Sequence, residues 1–423
     1  MNRKQLVILL VLGVALGGLG LFMSKQKSAA FKPPEGSLGK KLLGDFKIND
    51  VAQLTIKHDT NELDLVKQEG TWRVKERYGY PANFTEIREL ITKLADLKVV
   101  QSPKVGASQF ARLELVPPGP DKGTNSGTLL EFKNETGKVV KSVLLGKKAT
   151  RESGADNPMV GGGGGYPVGR YVLVVGSPQS VALVSDPLSN VEPKPDQWLD
   201  KDFLKVEKLK TISVVSANPS NTWQVARTNE TGTFSLIDKK ENEDVDSSKM
   251  SSISYALSSP SFTDVASPEA KPEALGLDKP TVATLTTFDN FTYIVKIGNK
   301  TSDDKYPIAA AVAAEIPAER VAGKDEKPED KEKLDKEFKE KTDKLKEKLA
   351  KEQGYGKWTY LVDKWTIDSL LKERKDFYAE KKTDTKAASK PGDQTETQPD
   401  EKTDEKPDDD KEEGSDDPIM PTP

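Results

Sequence analysis

Between residues 53 and 74 apolar and polar side chains take turns. Leu54 and Ile56, Leu63 and Leu65, and Trp72 and Val74 are each separated by one polar residue, the two-residue period of a strand that buries one face. Pro81 closes the last of these segments and the period then changes. Ile87, Leu90, Ile91, Leu94 and Leu97 fall on one face of a helix over 85–98. Asn83, with Glu86 three positions on, supplies a capping box for its start. Further strands are predicted over 128–133, 138–145 and 171–175.

The same succession returns later in the chain. Phe46, Val51, Leu54 and Ile56 recur at a constant offset of 158 as Leu204, Leu209, Ile212 and Val214. Leu63 and Leu65 match Trp223 and Val225, and Gly70-Thr71-Trp72-Arg73-Val74 matches Gly232-Thr233-Phe234-Ser235-Leu236. Ile87, Leu94 and Val99 match Met250, Leu257 and Phe262, which puts the second helix over 247–258. Leu113 and Leu115 match Leu275 and Leu277, Phe132 matches Phe288, and Val143, Leu145 and Gly146 match Val295, Ile297 and Gly298. Tyr171-Val172-Leu173 matches Tyr360-Leu361-Val362, and Lys201-Asp202-Phe203 matches Lys375-Asp376-Phe377. Strands in succession with an interposed helix predict an α+β fold: two tandem repeats, 45–203 and 204–382, each a mainly antiparallel sheet with packed helices. The repeats differ by insertions read as equivalent in place: five glycines, Gly161 to Gly165, and a charged helix over 318–353. Residues 324–352 hold 11 Lys and 11 Asp/Glu around a thin stripe of Leu334, Phe338, Leu345 and Leu349. That composition predicts a solvated projecting helix, or a coiled-coil docking arm.

Ahead of the repeats, Leu6 through Met23 run for 18 positions without a polar side chain. As a helix this covers roughly 27 Å, close to the hydrocarbon thickness of a bilayer. Residues 6–23 are therefore expected to anchor the chain in the lipid bilayer, with 1–5 in the cytoplasm, 24–44 a linker and the bulk of the chain extracytoplasmic. The rival reading is a signal peptide cleaved near Ser28-Ala29-Ala30.

Charge alters the picture at the other end. Residues 383–423 hold 14 Asp/Glu and 5 Lys and no aromatic residue, the composition of a disordered acidic tail. That tail carries −9 of an overall −4 and leaves the remainder at +5, which gives no electrostatic case for nucleic-acid binding. The chain has no cysteine, so disulfides, thiolate nucleophiles, Cys-ligated zinc and an acylated-cysteine anchor are all excluded. His58 is the single histidine, with Asp59 beside it, and reads as a strand-end surface residue. Gly146-Lys147-Lys148-Ala149-Thr150 lacks the first glycine and the Lys-Ser/Thr pair of a phosphate loop. The glycine run precedes no dinucleotide-binding helix. Asp244, Asp246, Asp303 and Asp304 lack the spacing of a calcium loop. No catalytic, cofactor-binding or metal-binding residue is assigned, and no cofactor is expected.

Met1-Asn2-Arg3-Lys4-Gln5 before the apolar run, the Gly70-Thr71-Trp72 strand, the Leu275-Gly276-Leu277-Asp278-Lys279-Pro280 turn and the Lys-Asp-Phe boundary resemble a bacterial domain-of-unknown-function family, number 4340, over roughly residues 1–382. The resemblance implies no activity and no site residues. Some members are encoded beside components similar to gliding-motility ABC transporters, which implies an auxiliary extracytoplasmic subunit. The expectation is a non-enzymatic, membrane-anchored binding or auxiliary protein with a protein partner in the membrane or envelope. The alternatives are a carboxylate-dependent envelope hydrolase and a purely structural envelope protein.

Overall fold

A computed structural model describes residues 38–120, 125–151, 166–176, 181–237, 239, 243–323 and 326–379. Within it the alternating segments become strands: β1 (Gln53–His58), β2 (Asn61–Gln68), β3 (Thr71–Val74), β4 (Tyr80–Pro81), β5 (Val99–Gln101), β6 (Thr128–Lys133), β7 (Val139–Arg151), β8 (Tyr166–Val174) and β9 (Val181–Val184). They pair in the order β4-β3-β2-β1-β6-β7-β8-β9-β5, every neighbour antiparallel. A second antiparallel sheet is built from β10 (Leu209–Val215), β11 (Trp223–Ala226), β12 (Ser235–Leu236), β13 (Asp264–Val265), β14 (Thr281–Thr287), β15 (Phe291–Ile297), β16 (Tyr306–Ala314) and β17 (Thr359–Val362). Its order is β12-β11-β10-β14-β15-β16-β17-β13, which is the order of the first sheet without β4.

The expected α+β class is therefore wrong. The described residues are mostly β-sheet, and three α-helices accompany the sheets: α1 (Phe84–Asp96), α2 (Pro328–Tyr355) and the single-turn α3 (Lys364–Ile367). Where a second helix was expected over 247–258 the chain forms a 3₁₀ helix, Ser247–Tyr255. Five serines in nine residues explain this, because serine hydroxyls compete for the backbone and hold it out of α-helix. No helix among the described residues is long and apolar enough to cross a membrane; the run 6–23 lies outside them, as do the glycine run and the acidic tail.

α1 buries Ile87, Leu90, Ile91, Leu94 and Ala95. Asn83 caps it by accepting from the Thr85 and Glu86 amides at 3.1 and 3.2 Å. The Asn83 N–H donates to the Trp198 carbonyl instead of to Glu86, so the expected capping box forms only in its forward half. α2 is neither a free arm nor a coiled coil. Leu345, Leu349 and Tyr355 pack against the core, and Glu352, 4% exposed, accepts from the Tyr293 hydroxyl at 2.8 Å and the Lys205 amide at 3.0 Å.

Register also revises the expected matches. Leu54 stands between Leu65 and Phe132, and Ile212 between Val225 and Leu285. Leu285, not Phe288, thus occupies the place of Phe132. Tyr360 faces Ile308 across β16 and β17, the place that Ala182 holds opposite Val172; matching Tyr171 to Tyr360 skipped a strand. Trp198 and Phe377, not Phe203 and Phe377, take the amide hydrogen bonds from Asn83 and Asp246. The glycines fall between β7 and β8, whereas α2 falls between β16 and β17, so the two insertions occupy different connections.

One hydrophobic cluster runs through both sheets. At their junction Tyr80 meets Phe262, Trp358 and Tyr360 edge-on with centroids 5.0 to 6.2 Å apart, and Arg77 grips Asp264 through Nε at 2.6 Å and Nη2 at 2.7 Å.

Candidate functional site

β7 carries one residue too many. Leu145 pairs with Val172, yet the next pair toward the hairpin end is Lys148 with Arg170, three steps along β7 against two along β8. Without this bulge Lys147 would share a face with Leu145; with it, Lys148 is turned to the face of Arg170. Gly146 makes the bulge sterically feasible, because a Cβ there would collide with the Leu113 carbonyl oxygen. The Gly146 carbonyl, buried here, accepts from Arg170 Nε at 2.7 Å, and Leu188 O accepts from Nη1 at 2.9 Å. Leu188 holds a left-handed backbone, φ 46°, while its amide donates to Asp186 Oδ1 at 2.8 Å. Arg170 is 8% exposed, and burial pulls its guanidinium below the ordinary arginine value.

A cleft of about 320 Å³ opens beside this arginine, walled by the ends of β1 and β6 and by the segment 189–194. His58 and Asn61 face it from the β1–β2 turn, with Thr128, Lys148, Glu192 and Lys194. Glu192 and Lys194 pair at 2.6 Å. That contact, with Lys148 and His58 nearby, holds the Glu192 carboxyl below its ordinary range and lifts Lys194. A second hollow of about 280 Å³ adjoins it through Ser189 and Glu192 and reaches Glu86 and Trp198.

His58 Nδ1 lies 3.4 Å from Thr128 Oγ1, and Nε2 lies 3.6 Å from Asp59 Oδ2, both longer than the hydrogen bonds of an activated triad. The Ser126 hydroxyl donates to Asp59, not to the imidazole. The noted aspartates stay apart: Asp246 caps the serine-rich 3₁₀ helix through the Ser248 amide at 2.9 Å, and Asp304 pairs with Lys300 at 2.6 Å. Among the described residues no group of three or more His, Cys, Asp or Glu could hold a metal ion.

The fold thus joins two residues noted separately in the sequence, His58 and Lys148, to three that passed unnoticed: Arg170, Glu192 and Lys194. A signal for Arg170 was present. It is the one charge in Tyr166-Pro167-Val168-Gly169-Arg170-Tyr171-Val172-Leu173-Val174, a run that otherwise reads as a buried strand, where an unpaired charge is costly.

A family model described as Domain of unknown function (DUF4340) matches residues 72–280, a span that includes Lys148, Arg170, Glu192 and Lys194. No curated protein and no solved structure matches the chain.

Proposed function

On that match the chain belongs to the DUF4340 family, and we propose that it is a non-enzymatic binding protein that recognises its ligand at the first-sheet cleft. In this reading residues 6–23 hold the chain in a bilayer, the two sheets lie outside the cytoplasm, and the protein serves as an accessory subunit of an envelope or transporter assembly. One observation carries the proposal: the cleft gathers Lys148, Arg170 and Lys194 around a single carboxylate, Glu192, that Lys194 already occupies. Convergent cations recognise; hydrolysis by carboxylates requires a pair of acids held at different pKa values over one space. Glu76, whose carboxyl burial pushes above its ordinary range, spends both oxygens on the Asp64 amide. It faces none of the clefts described above.

The test is purification of the full chain from native membranes in mild detergent, with identification of co-purifying proteins and a turnover screen on ester, glycoside and amide substrates. The chain is expected to sediment with membranes, bring a stoichiometric partner and turn nothing over. A chain that purifies alone and hydrolyses a substrate at a rate abolished by E192Q would replace the binding reading with the hydrolase one.

A further inference from the structure

We infer that the first-sheet cleft binds a phosphoryl group, as a phosphate monoester or diester; the inference rests on the binding role proposed above and supplies its ligand class. Lys148 and Arg170 face the cleft, and neither has a carboxylate within salt-bridge distance among the described residues. They are also cross-strand partners. Like charges opposed on a ladder destabilise it, and here a bulge is used to oppose them. A bound phosphoryl group reverses the sign of that contact: a monoester brings close to two charges, and a diester shares its one charge over two oxygens that can accept from both cations at once.

The donor geometry fits tetrahedral oxygens. Arg170 has fixed its guanidinium plane by giving Nε to Gly146 and one Nη1 proton to Leu188, which leaves Nη2 with no hydrogen bond among the described residues. An immobilised guanidinium fork beside a mobile ammonium is the pairing that grips phosphoryl oxygens most strongly. Asn61, Thr128 and Ser189 add neutral donors, and Val191 and Pro193 give an apolar wall against which the carbon part of an ester can lie. Such a group arrives either on a soluble phosphomonoester or on a phospholipid headgroup.

The full chain in detergent micelles is titrated with inorganic phosphate, glycerol 3-phosphate, short-chain phosphatidylglycerol and succinate, by calorimetry and by NMR of the imidazole ring. His58 is the only histidine in 423 residues, so its ring signals assign themselves, and it lines the cleft. Phosphate and its esters should bind, shift the His58 signals and lose affinity as salt rises. K148E should weaken binding about tenfold or more and E192Q strengthen it about threefold or more, since one reverses a facing cation and the other removes the cleft's single carboxylate. Lys148 is exposed and the Glu192 side chain is 45% exposed, so the variants keep the fold, unlike substitutions of buried Arg170. Tighter binding of glycerol 3-phosphate assigns a soluble ester; tighter binding of phosphatidylglycerol assigns a headgroup. Succinate binding as tightly as phosphate overturns the inference. So does phosphate binding that leaves His58 unmoved and is indifferent to K148E and E192Q. If phosphate fails while a partner still co-purifies, the ligand class falls and the binding role stands; if both fail, both fall.

Discussion

The corresponding ends of the two sheets share a strand order, and differ in charge and in the β7 bulge. Arg170 stands opposite Val184 in the first sheet, and Tyr306 stands opposite Val362 in the second. The His58–Thr128 contact of 3.4 Å is mirrored by a Ser216–Thr281 contact of 3.4 Å. Gly146 and Gly298 are each pinned beneath a carbonyl, that of Leu113 or Leu275, which a Cβ would strike. In the second sheet the nearby lysines are each matched by an acid, Lys300 by Asp304 at 2.6 Å and Lys305 by Asp363 at 2.5 Å. In the first sheet Lys148 and Arg170 are not. The shared frame therefore does not make the cleft by itself; the β7 bulge and the side chains it presents do, and the unbalanced end is the one to probe.

The largest expected effect tests the frame itself. Trp72 and Phe234 are both buried, two positions before Val74 and Leu236, which face Leu65 and Val225 in matching register. W72A and F234A should each cost about 3–5 kcal/mol in urea unfolding; a loss for one several-fold below the other would break the correspondence. Next comes a feature the first sheet lacks. E352A strands the Tyr293 hydroxyl and the Lys205 amide and should cost about 2–3 kcal/mol. Hydrogen exchange should speed up in β15 and β16 and stay unchanged in β6 and β7; uniform acceleration would mean that the two sheets open together. A double-mutant cycle on Arg77 and Asp264 should give a coupling of about 1 kcal/mol, as expected for a half-buried bidentate pair. A value near zero would remove this pair from the joint between sheets.

The smallest effect is a difference in acid response. Thr55 faces Asp64 in the first sheet where Ser213 faces Gln224 in the second. Burial pushes the Asp64 carboxyl up, but hydrogen bonds from Lys75 at 2.8 Å, Thr55 at 2.6 Å and Gln53 at 3.1 Å outweigh it and hold the group below its ordinary range. A depressed carboxyl stabilises the fold above its unfolded pKa of about 3.9 and loses that contribution as pH falls below it. The stability gap between wild type and D64N should therefore be constant from neutrality down to about pH 5 and close on further acidification. A gap that widens in acid would contradict the assigned hydrogen bonds.

Strands β1 to β3 were legible because each buries one face, so Leu54, Ile56, Leu63, Leu65, Trp72 and Val74 carry a clean period. The helix over 85–98 was legible for the same reason at its own period. β16 was not. Tyr306-Pro307-Ile308-Ala309-Ala310-Ala311-Val312-Ala313-Ala314 is alanine-rich and contains a proline, composition that speaks against a strand. It is held extended by β15 on one side and β17 on the other. Missing it, together with the four-residue β9, displaced Tyr360 by one strand and weighted the fold toward helix. In the cleft, His58 and Lys148 were visible as residue types, but a bulge is a relation between two strands and leaves no mark on either one alone. Glu192 and Lys194 arrive by tertiary folding from more than 40 residues beyond Lys148.

α2 has a consequence for how this molecule could be altered over time. Its two ends emerge from β16 and β17, which are paired neighbours. Its C-terminal half packs on the core through Leu345, Leu349, Glu352 and Tyr355, while its start is held by the ion pair of Asp335 with Arg320 in the preceding connection. Residues added or removed near Pro328 therefore disturb no ladder, and the entropic cost of a longer connection grows only with the logarithm of its length. Each inserted turn would extend the helix by about 5.4 Å. The segment whose composition resembles filler is an adjustable spacer, a place where reach can be retuned in whole-turn steps while both sheets keep their register.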